Sequence, residues 1–386
     1  MLHCDILVVG AGMVGAAAAN QLAKAGYAVM LVDQQTPVTY EKNELPDLRV
    51  SAIAPGSAQL LKACDCWESI LKQRACPYKM MSVFSASGGG IDFNASEHGL
   101  DALGWIVENR LIQASLWEQL PPSVQTMTGH GFASLKEVNG GAVVTLDNQQ
   151  EITTKLVVAA DGGRSIVREQ LNIKTIEHDY QQMGLVAVLE TEIPQPDLAW
   201  QCFLKTGPLA LLPLSENQVS MVWSMPAELA AKKKALRYEQ LEAELTLQTN
   251  GQFGRLKVLS DVAGFPLKLQ LAEKMRHERV VLIGDAAHQV HPLAGQGVNL
   301  GFADVQALSK CLIADLSLLD SPLDFDHQLS RFERQRLSEN TLMARGIDGL
   351  EFMFKRLPNT SSIGLNVANR LWPLKDQFIR RACGLI

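Results

Sequence analysis

The first 33 residues contain a glycine-rich turn between an apolar strand and a helix, and this turn constrains the fold more than any other feature. The segment reads CDILVVGAGMVGAAAANQLAKAGYAVMLVD and predicts a strand over 6–9, a helix, and a second strand ending at Asp33. The turn carries Gly10, Gly12 and Gly15. In such a βαβ unit the first glycine makes the turn, the second lets the backbone approach a pyrophosphate, and the third lets the helix pack on the strand.

This βαβ unit predicts a site for the ADP part of a dinucleotide. Free amides and the positive end of the helix dipole favour phosphate at the start of the helix. Asp33 lies about 20 residues beyond the glycines, where a carboxylate accepts hydrogen bonds from an adenosine ribose and disfavours a 2′-phosphate. The unit by itself leaves FAD and NAD open, and a purely structural glycine turn is the alternative.

Two later segments bear on the choice between these nucleotides. The first, KLVVAADGGRSIVRE over 155–169, predicts a strand, a turn at Asp161 and Gly162, and a helix that Ser165 caps. The second, HERVVLIGDAAHQVHPLAGQGVNLGFADVQALSKCLI over 277–313, predicts a strand, a glycine loop and a helix. Backbone amides at the start of that helix can hold the electron-rich edge of a reduced isoalloxazine ring. The glycines therefore indicate a flat ring lying against the main chain, which favours a flavin.

A metal site is the alternative interpretation of the second segment, because His288 and His291 lie three residues apart beside Asp285. A zinc site would need a third ligand and a partner for each second ring nitrogen. The segment has neither the HxxxH nor the HExxH pattern. The sequence therefore predicts no metal site, and it predicts a capping or packing role for the two histidines.

The three segments together resemble the group A flavoprotein aromatic hydroxylases, relatives of p-hydroxybenzoate hydroxylase. A narrower resemblance points to the ubiquinone-biosynthesis ring hydroxylases of the 2-polyprenylphenol hydroxylase type, and it extends through nearly the whole chain. The segments that carry it are DLRVSAIAPGSAQLL (47–61), LGWIVENRLIQASLWEQL (103–120), HPLAGQGVNLGF (291–302) and GLNVANRLWPLKDQFIRRACGL (364–385).

The resemblance implies an α/β fold, with a Rossmann-like FAD-binding domain, an inserted β-sheet substrate domain and a C-terminal helical segment. Short strands separated by turns are expected over 176–266, where PLALLPL and SMVWSM are apolar enough to line a prenyl pocket or to form a plain sheet core. The expected boundaries are 1–75, 100–175 and 267–345 for the FAD-binding domain, 76–99 and 176–266 for the substrate domain, and 346–386 for the C-terminal helical region.

The resemblance also implies which residues hold the cofactor. Those expected at the ADP half and the pyrophosphate are Gly10, Gly12, Gly15, Asp33, Arg49 and Arg110. The alternative for the two arginines is a salt bridge on the protein surface. Those expected nearer the ribityl chain and the passing nicotinamide are Asp161, Gly162 and Asp285. Those expected to line the isoalloxazine ring are Pro292, Gly295, Gln296, Gly297, Val298 and Asn299.

The implied reaction has two halves. NAD(P)H reduces the bound FAD during a transient encounter, and O₂ then forms a C4a-hydroperoxyflavin that hydroxylates the ring of a polyprenylated phenol or quinol in ubiquinone biosynthesis. The narrower resemblance favours early hydroxylation of a 2-polyprenylphenol over the later benzoquinol steps. The chain has no second dinucleotide fingerprint, which suits transient NAD(P)H binding or another electron donor. No residue is identified as a catalytic acid or base.

Other functions on the same scaffold stay open. The halogenase signature WxWxIP is absent, because no two tryptophans lie two positions apart. A flavin-dependent prenyl reductase would use the same cofactor segments and would differ in taking up no oxygen. A non-catalytic, flavin-bound scaffold subunit of a biosynthetic complex is the third alternative.

Composition limits the partners. The chain has 386 residues, of which 47% are hydrophobic and 20% are charged, and its net charge of −6 gives no support to a nucleic-acid partner. Its seven cysteines are odd in number and lack a repeated CxxC spacing, which predicts reduced thiols in a cytoplasmic protein. No window of about 18 apolar residues predicts a membrane span.

The last residues, NRLWPLKDQFIRRACGLI (369–386), form a locally basic end on an acidic chain. Leu374, Phe378, Ala382 and Leu385 recur at helical spacing. This pattern predicts a helix that docks on the FAD-binding domain. The alternative is a helix that lies peripherally on the anionic inner membrane or on another ubiquinone-biosynthesis protein.

Overall fold

The computed structural model describes residues 2–37, 39–42, 45–290, 297–313, 319, 321–356 and 384. The helices in these ranges are α1 Met13–Lys24, α2 Pro55–Ala63, α3 Trp67–Arg74, α4 Asn109–Glu118, α5 Ile166–Gln170, α6 Ala227–Lys234, α7 Tyr238–Gln248, α8 Gly297–Ile313 and α9 Pro322–Arg356. The strands are β1 Leu2–Val9, β2 Val29–Asp33, β3 Val50–Ile53, β4 Ala75–Tyr78, β5 Met80–Ser85, β6 Gly90–Asn94, β7 Gly104–Glu108, β8 Gln125–Thr128, β9 Phe132–Val138, β10 Gly141–Leu146, β11 Glu151–Ala159, β12 Thr175–Thr191, β13 Leu198–Leu204, β14 Gly207–Pro213, β15 Gln218–Pro226, β16 Leu256–Val258, β17 Ala263–Ala272, β18 Arg276–His277, β19 Val280–Leu282 and β20 His288–Gln289.

The first sheet has a parallel centre in the order β19–β11–β1–β2–β8. Residues 6–9 of β1 are at most 3% exposed, as expected for a parallel strand covered on both faces. The chain runs from β1 to β2 on one side and returns to β11 on the other. The carboxyl ends of β1 and β11 therefore border a topological switch point, where open α/β sheets bind their ligands.

The second sheet is mainly antiparallel, in the order β20–β17–β12–β15–β14–β13–β5–β6, with β16 paired to β12. Helices α6 and α7 bury Ala230, Leu241 and Leu245 against one of its faces. Strand β12 spans 17 residues, so the expectation of only short strands is wrong here. Its first part, 175–181, is mostly exposed and polar, so it lacks the alternation of apolar residues that predicts a strand from sequence. Pairing with β17 keeps this part extended.

The third sheet, β3–β7–β4, lies against the other face of the second sheet. Buried side chains from both sheets form a core that we call the intersheet cluster. Its members include Ala52, Tyr78, Val83, Ile106, Val188, Ala199 and Phe203, with Val290 and Leu259 packed against it. Strands β5 and β6 come from the region between β4 and β7 but pair within the second sheet. With its nine described helices and three sheets, the described part of the molecule is a mixed α/β fold.

Hydrophobicity along the described helices gives no candidate for a membrane-crossing segment. The predicted C-terminal helix over 370–386 lies outside the described residues, apart from Gly384. That residue lies against α2, where a Cβ added to Gly56 would be 2.5 Å from the Gly384 carbonyl oxygen.

Candidate functional site

The three sequence-predicted turns meet at the carboxyl edge of the first sheet. Strands β1, β11 and β19 end side by side, and hydrogen bonds continue beyond them. The Ala160 amide donates to the Val9 carbonyl at 2.7 Å, and the Ile283 amide donates to the Ala159 carbonyl at 3.0 Å. The turns that begin at Gly10, Asp161 and Gly284 are therefore neighbours although more than a hundred residues separate each from the next.

The three glycines of the first turn differ in the steric surroundings that a Cβ atom would meet. Gly10 adopts a φ of +100°, and a Cβ there would lie 2.3 Å from the Ala160 carbonyl oxygen. A Cβ on Gly15 would lie 1.8 Å from the Gly10 carbonyl oxygen, so only glycine lets α1 approach the turn. A Cβ on Gly12 would meet no atom within 4 Å. Gly12 is thus free of steric demands from the protein itself, which suits a residue that a ligand approaches.

The start of α1 offers unpaired amides at this point. Gly12 is the N-cap, and within the described chain no side chain caps the helix or places an acid in its first turn. These amides and the helix dipole favour an anionic group such as a pyrophosphate.

The peptide of Ala11 is held from both sides. Its amide donates to Asp33 Oδ2 at 2.6 Å, and its carbonyl accepts from Gln113 Nε2 and Trp117 Nε1, each at 3.0 Å. Asp33 Oδ1 also accepts from the Gln35 amide at 2.8 Å. Gln113 and Trp117 were not identified from the sequence, although both lie in the 103–120 segment that carries the family resemblance. Their long-range contact with the turn has no local signal.

Asp161 presents an unsatisfied acceptor next to the first turn. Its Oδ2 accepts from the Val167 amide at 3.3 Å, while its buried Oδ1 has no hydrogen-bond partner among the described residues. Burial raises the pKa of Asp161, and hydrogen bonds from Ser165 and nearby amides oppose this shift. Gly162 follows with a φ of +84°. Ser165 caps α5 through a 3.0 Å bond from the Arg168 amide, which confirms the predicted cap.

Asp285 directly follows β19 and the Gly284 turn. Its side chain is exposed, yet surrounding protein atoms raise its pKa by desolvation, with His288 and Arg49 opposing the shift. The exposed Arg49 therefore lies close enough to act electrostatically on Asp285, and a shared contact of the two with a cofactor stays a prediction.

Arg110 lies at the start of α4 and near Tyr40. Burial, followed by the hydrogen bond to Glu108, raises the pKa of the Tyr40 phenol, against smaller opposing effects of Arg74 and Arg110. Glu108 is 3% exposed and accepts from Tyr40 Oη at 2.9 Å and from the Asp47 amide at 2.6 Å. This cluster fastens the segment that leads to Arg49. A direct contact between Arg110 and a cofactor stays a prediction.

Arg168 joins the second and third turns. Its guanidinium donates to the Gly163 carbonyl at 2.9 Å and to the Ala286 carbonyl at 2.8 Å, and its side chain is 5% exposed. The two turns are therefore tied together through one buried cation.

His288 has a structural partner. Its Nε2 lies 2.6 Å from Asp304 Oδ2, which also accepts from the Gly284 amide at 2.9 Å. Asp304 Oδ1 accepts from Arg336 Nε at 2.6 Å. Within the described part of the chain no group of three or more His, Cys, Asp or Glu side chains is arranged to hold a metal, and His291 lies outside it.

The predicted ring-lining residues are described only in part. Pro292, Gly295 and Gln296 lie outside the described residues, whereas Gly297, Val298 and Asn299 form the start of α8. The Asn299 side chain accepts from the Ala54 amide at 3.0 Å and donates to the Ala52 carbonyl at 2.8 Å. It fastens α8 to the β3–α2 connection, so contact with a ring would come mainly from backbone. That contact stays a prediction.

These residues suit FAD. The uncapped start of α1 fits a pyrophosphate, the carboxylate of Asp33 fits a ribose, and the buried Oδ1 of Asp161 can accept from a further hydroxyl. The exposed carboxylate of Asp285 follows β19 at the same edge of the first sheet. The chemistry of this donor and acceptor set matches a long, hydroxyl-rich dinucleotide lying across the switch point.

The comparisons with known proteins agree with this assignment. The model of the FAD binding domain family matches residues 3–321. The chain is 33% identical over 395 residues to 3-demethoxyubiquinol 3-hydroxylase of Escherichia coli strain K12, covering 99% of this chain and 98% of that protein. It is 33% identical over 438 residues to the mitochondrial ubiquinone biosynthesis monooxygenase COQ6 of Danio rerio, covering 97% and 88%.

The fold matches that of solved structures as well. PqsL of Pseudomonas aeruginosa superposes with a TM-score of 0.79 at 22% identity, covering 94% of this chain and 99% of that one. The family model and the two near-full-length relatives confirm the resemblance that the sequence motifs indicated. The chain therefore belongs to the FAD binding domain family, as a relative of the ubiquinone-biosynthesis ring hydroxylases.

Proposed function

We propose that this protein is an FAD-dependent monooxygenase that hydroxylates the aromatic ring of a polyprenylated phenol or quinol in ubiquinone biosynthesis. The observation that carries the proposal is the meeting of three cofactor-type turns at one switch point. The near-full-length relatives of the chain are named a 3-demethoxyubiquinol 3-hydroxylase and a ubiquinone biosynthesis monooxygenase. NAD(P)H is the transient reductant in this proposal, and O₂ is the co-substrate.

FAD, when bound, supplies the redox and oxygen chemistry, and the protein supplies binding and orientation. The α1 amides near Gly12 would hold the pyrophosphate, and Asp33 would accept from the ribose. Asp161 would accept a hydrogen bond from a hydroxyl of the ribityl chain through its unpaired Oδ1. Arg168 keeps the Asp161 and Asp285 turns in register, so that both act on the same bound molecule.

The intersheet cluster supplies the apolar surroundings that ring hydroxylation needs. It extends from the second sheet to Ala52 of β3 and to Val290, which directly precedes the 291–296 segment predicted to line the ring. An apolar wall at this place would accept a polyprenylated ring and keep water from the reacting atoms.

The first experiment separates the proposed function from its alternatives. The purified protein should be yellow, should consume NAD(P)H and O₂ in the presence of a short-chain polyprenylphenol, and should yield a product with one added oxygen atom. A product reduced in its prenyl chain without oxygen uptake would instead indicate a prenyl reductase. A flavin that stays inert towards NAD(P)H and substrate would indicate the scaffold function.

The ring position needs a separate experiment. The sequence motifs favour early hydroxylation of a 2-polyprenylphenol, whereas the name of the Escherichia coli relative refers to a demethoxyubiquinol. Deleting the gene in its host and identifying the quinone intermediate that accumulates distinguishes the two. We propose the early step, and accumulation of a demethoxyubiquinol would replace it with the later one.

The proposed substrate also requires a route from the membrane or from a partner. The basic C-terminal segment 370–386 is the proposed point of peripheral contact for a protein that otherwise resides in the cytoplasm. Deleting it should abolish binding to vesicles containing anionic lipid before it lowers flavin content. Loss of flavin first would favour docking on the FAD-binding domain.

A further inference from the structure

Two side chains of α4 hold one carbonyl of the first glycine turn. Gln113 Nε2 and Trp117 Nε1 each donate to the Ala11 carbonyl at 3.0 Å. The two residues are four positions apart, so they lie on one face of α4, and Arg110 lies on the same face, three positions before Gln113. The predicted cofactor residue of this helix therefore shares its face with both donors to the turn.

The direction of this carbonyl sets the direction of the next amide. The Ala11 carbonyl and the Gly12 amide belong to one trans peptide unit. In a planar trans peptide the C=O and N–H bonds point in opposite directions. A carbonyl that is directed at α4 therefore directs the Gly12 amide away from α4.

The Gly12 amide is placed to meet a ligand. Among the described residues it donates to no carbonyl and to no side chain. A Cβ at Gly12 would have no atom within 4 Å, so the space next to its Cα is open. The preceding peptide is fixed as well, because the Ala11 amide donates to Asp33 Oδ2 at 2.6 Å. An unpaired amide held in one direction beside open space suits an acceptor oxygen of a bound molecule.

We infer that Gln113 and Trp117 are positioning residues for the pyrophosphate of FAD. They hold the Ala11 carbonyl and thereby aim the Gly12 amide at a phosphate oxygen. Their hydrogen bonds also polarise the peptide, which strengthens its amide as a donor. An amide that is fixed in advance loses less conformational freedom on binding. The inference rests on the cofactor placement in the proposed function, and in it neither side chain contacts FAD itself.

A purely structural role is the alternative, in which the two hydrogen bonds only fasten α4 to the turn. Other contacts already fasten this helix at both ends. The Asn20 side chain donates to the Gln119 carbonyl at 2.7 Å, and the Asn109 amide donates to the Arg49 carbonyl at 2.9 Å. Variants that lose the two donors should therefore keep α4 in place, which allows the two roles to be separated.

The test measures the phosphorus NMR resonances of FAD in the oxidised holoenzyme, which report on the surroundings of the two phosphates. The variants are Gln113→Met, Trp117→Phe and the double variant, each of which removes a donor and keeps most of the apolar side chain. The double variant should move the phosphate resonances towards those of free FAD and should bind FAD about tenfold more weakly. Each single variant keeps one donor to the carbonyl and should lose less than about threefold in affinity.

The matched controls make the same exchanges away from the turn, as Gln119→Met and Trp105→Phe. Gln119 is exposed directly after α4, and Trp105 is half-buried in β7. The combined control should leave the phosphate resonances and the FAD affinity unchanged. Unshifted resonances in the double variant would overturn the inference, whether or not its FAD affinity falls. If the double variant retains too little FAD for a spectrum, the single variants decide, and a shift in neither of them overturns the inference.

The measurement needs no turnover, so it separates this inference from the proposed function. If wild type holds FAD but never oxygenates a polyprenylphenol, and the double variant shifts the resonances, the proposed function is wrong while the positioning by Gln113 and Trp117 stands. If wild type oxygenates the phenol and the resonances of the double variant match those of wild type, the positioning is wrong and the function stands.

Discussion

The Asp304 carboxylate and the His288 imidazole are hydrogen-bonded at 2.6 Å where neither side chain is more than 2% exposed. The same carboxylate accepts from the Gly284 amide and pairs with the equally buried Arg336. Asp304 on α8 therefore connects the turn that carries Asp285 to the long helix α9. The histidine that suggested a metal in the sequence is part of this structural network.

We expect Asp304→Asn to lower the free energy of unfolding by roughly 3–5 kcal/mol, because it removes the buried carboxylate of the Arg336 pair and leaves this guanidinium only Glu339, which is 49% exposed, as a charged partner. Urea unfolding measures the loss. Asp326→Asn is the matched control, since Asp326 is 66% exposed and pairs with Arg276 at 2.6 Å. An exposed pair of this kind contributes only about 0–1 kcal/mol. Similar losses in the two variants would contradict the network described here.

The pH dependence of stability gives a second prediction about Asp304. Burial would raise the pKa of this carboxyl, but the interactions with His288 and Arg336 dominate and lower it. A carboxyl with a lowered folded-state pKa contributes stability above its unfolded value of about 3.9, and this stability is lost as the pH falls through the folded pKa. Acid titration of unfolding should show this loss in wild type. A wild-type curve parallel to that of Asp304→Asn would argue against it.

Asp161 predicts a pH dependence of stability with the sign opposite to that of Asp304. Burial raises the pKa of this carboxyl, so its contribution to stability is full below the unfolded-state pKa and is lost as the pH rises through the folded pKa. Asp161→Asn removes this titration. We expect the variant apoprotein to be more stable than wild type at neutral pH, with the difference vanishing below about pH 4. Urea unfolding across this pH range tests the sign.

The same variant should bind FAD more weakly, by about tenfold, because a neutral amide replaces a charged acceptor. Titration of the apoprotein with FAD, followed by flavin fluorescence, measures this change. Higher stability together with unchanged FAD affinity would remove Asp161 from the cofactor site.

Gly12→Ala and Gly15→Ala separate the ligand from the fold. The Gly12 position has open space and an ordinary φ, so alanine should cost less than about 1 kcal/mol of stability while FAD affinity falls at least tenfold. At Gly15 the added carbon meets the Gly10 carbonyl, so both stability and FAD affinity should fall, the former by about 1–3 kcal/mol. Thermal unfolding of the apoproteins and FAD titration check both. Full flavin affinity in Gly12→Ala would contradict the pyrophosphate assignment.

The sequence predicted those features of the candidate site that depend on residues nearby in the chain. Gly10, Gly15 and Ser165 could be predicted because a turn, a close approach and a helix cap depend on nearby residues. The convergence of the three turns on one cofactor was implied by the family resemblance, and it agrees with the rule that parallel strands place their carboxyl ends at one edge.

Other parts could not be predicted because their cause is distant in the chain. Trp117 contacts Ala11 across 106 positions, and Arg336 reaches Asp304 across 32, without any local pattern at either end. The polar first part of β12 was missed because its pairing with β17, and not burial, keeps it extended.

Arg168 gives the last prediction, because it is the buried link between the Gly163 and Ala286 carbonyls. Arg168→Met should leave both carbonyls unpaired and lower the unfolding free energy by about 2–4 kcal/mol, given two hydrogen bonds from a charged donor. It should also weaken FAD binding, since the Asp161 and Asp285 turns lose their connection. Arg164→Met is the matched control, as Arg164 is exposed in the same turn and should change either quantity little. Equal effects of the two variants on FAD affinity would show that net positive charge, and not the link between the turns, is what the cofactor requires.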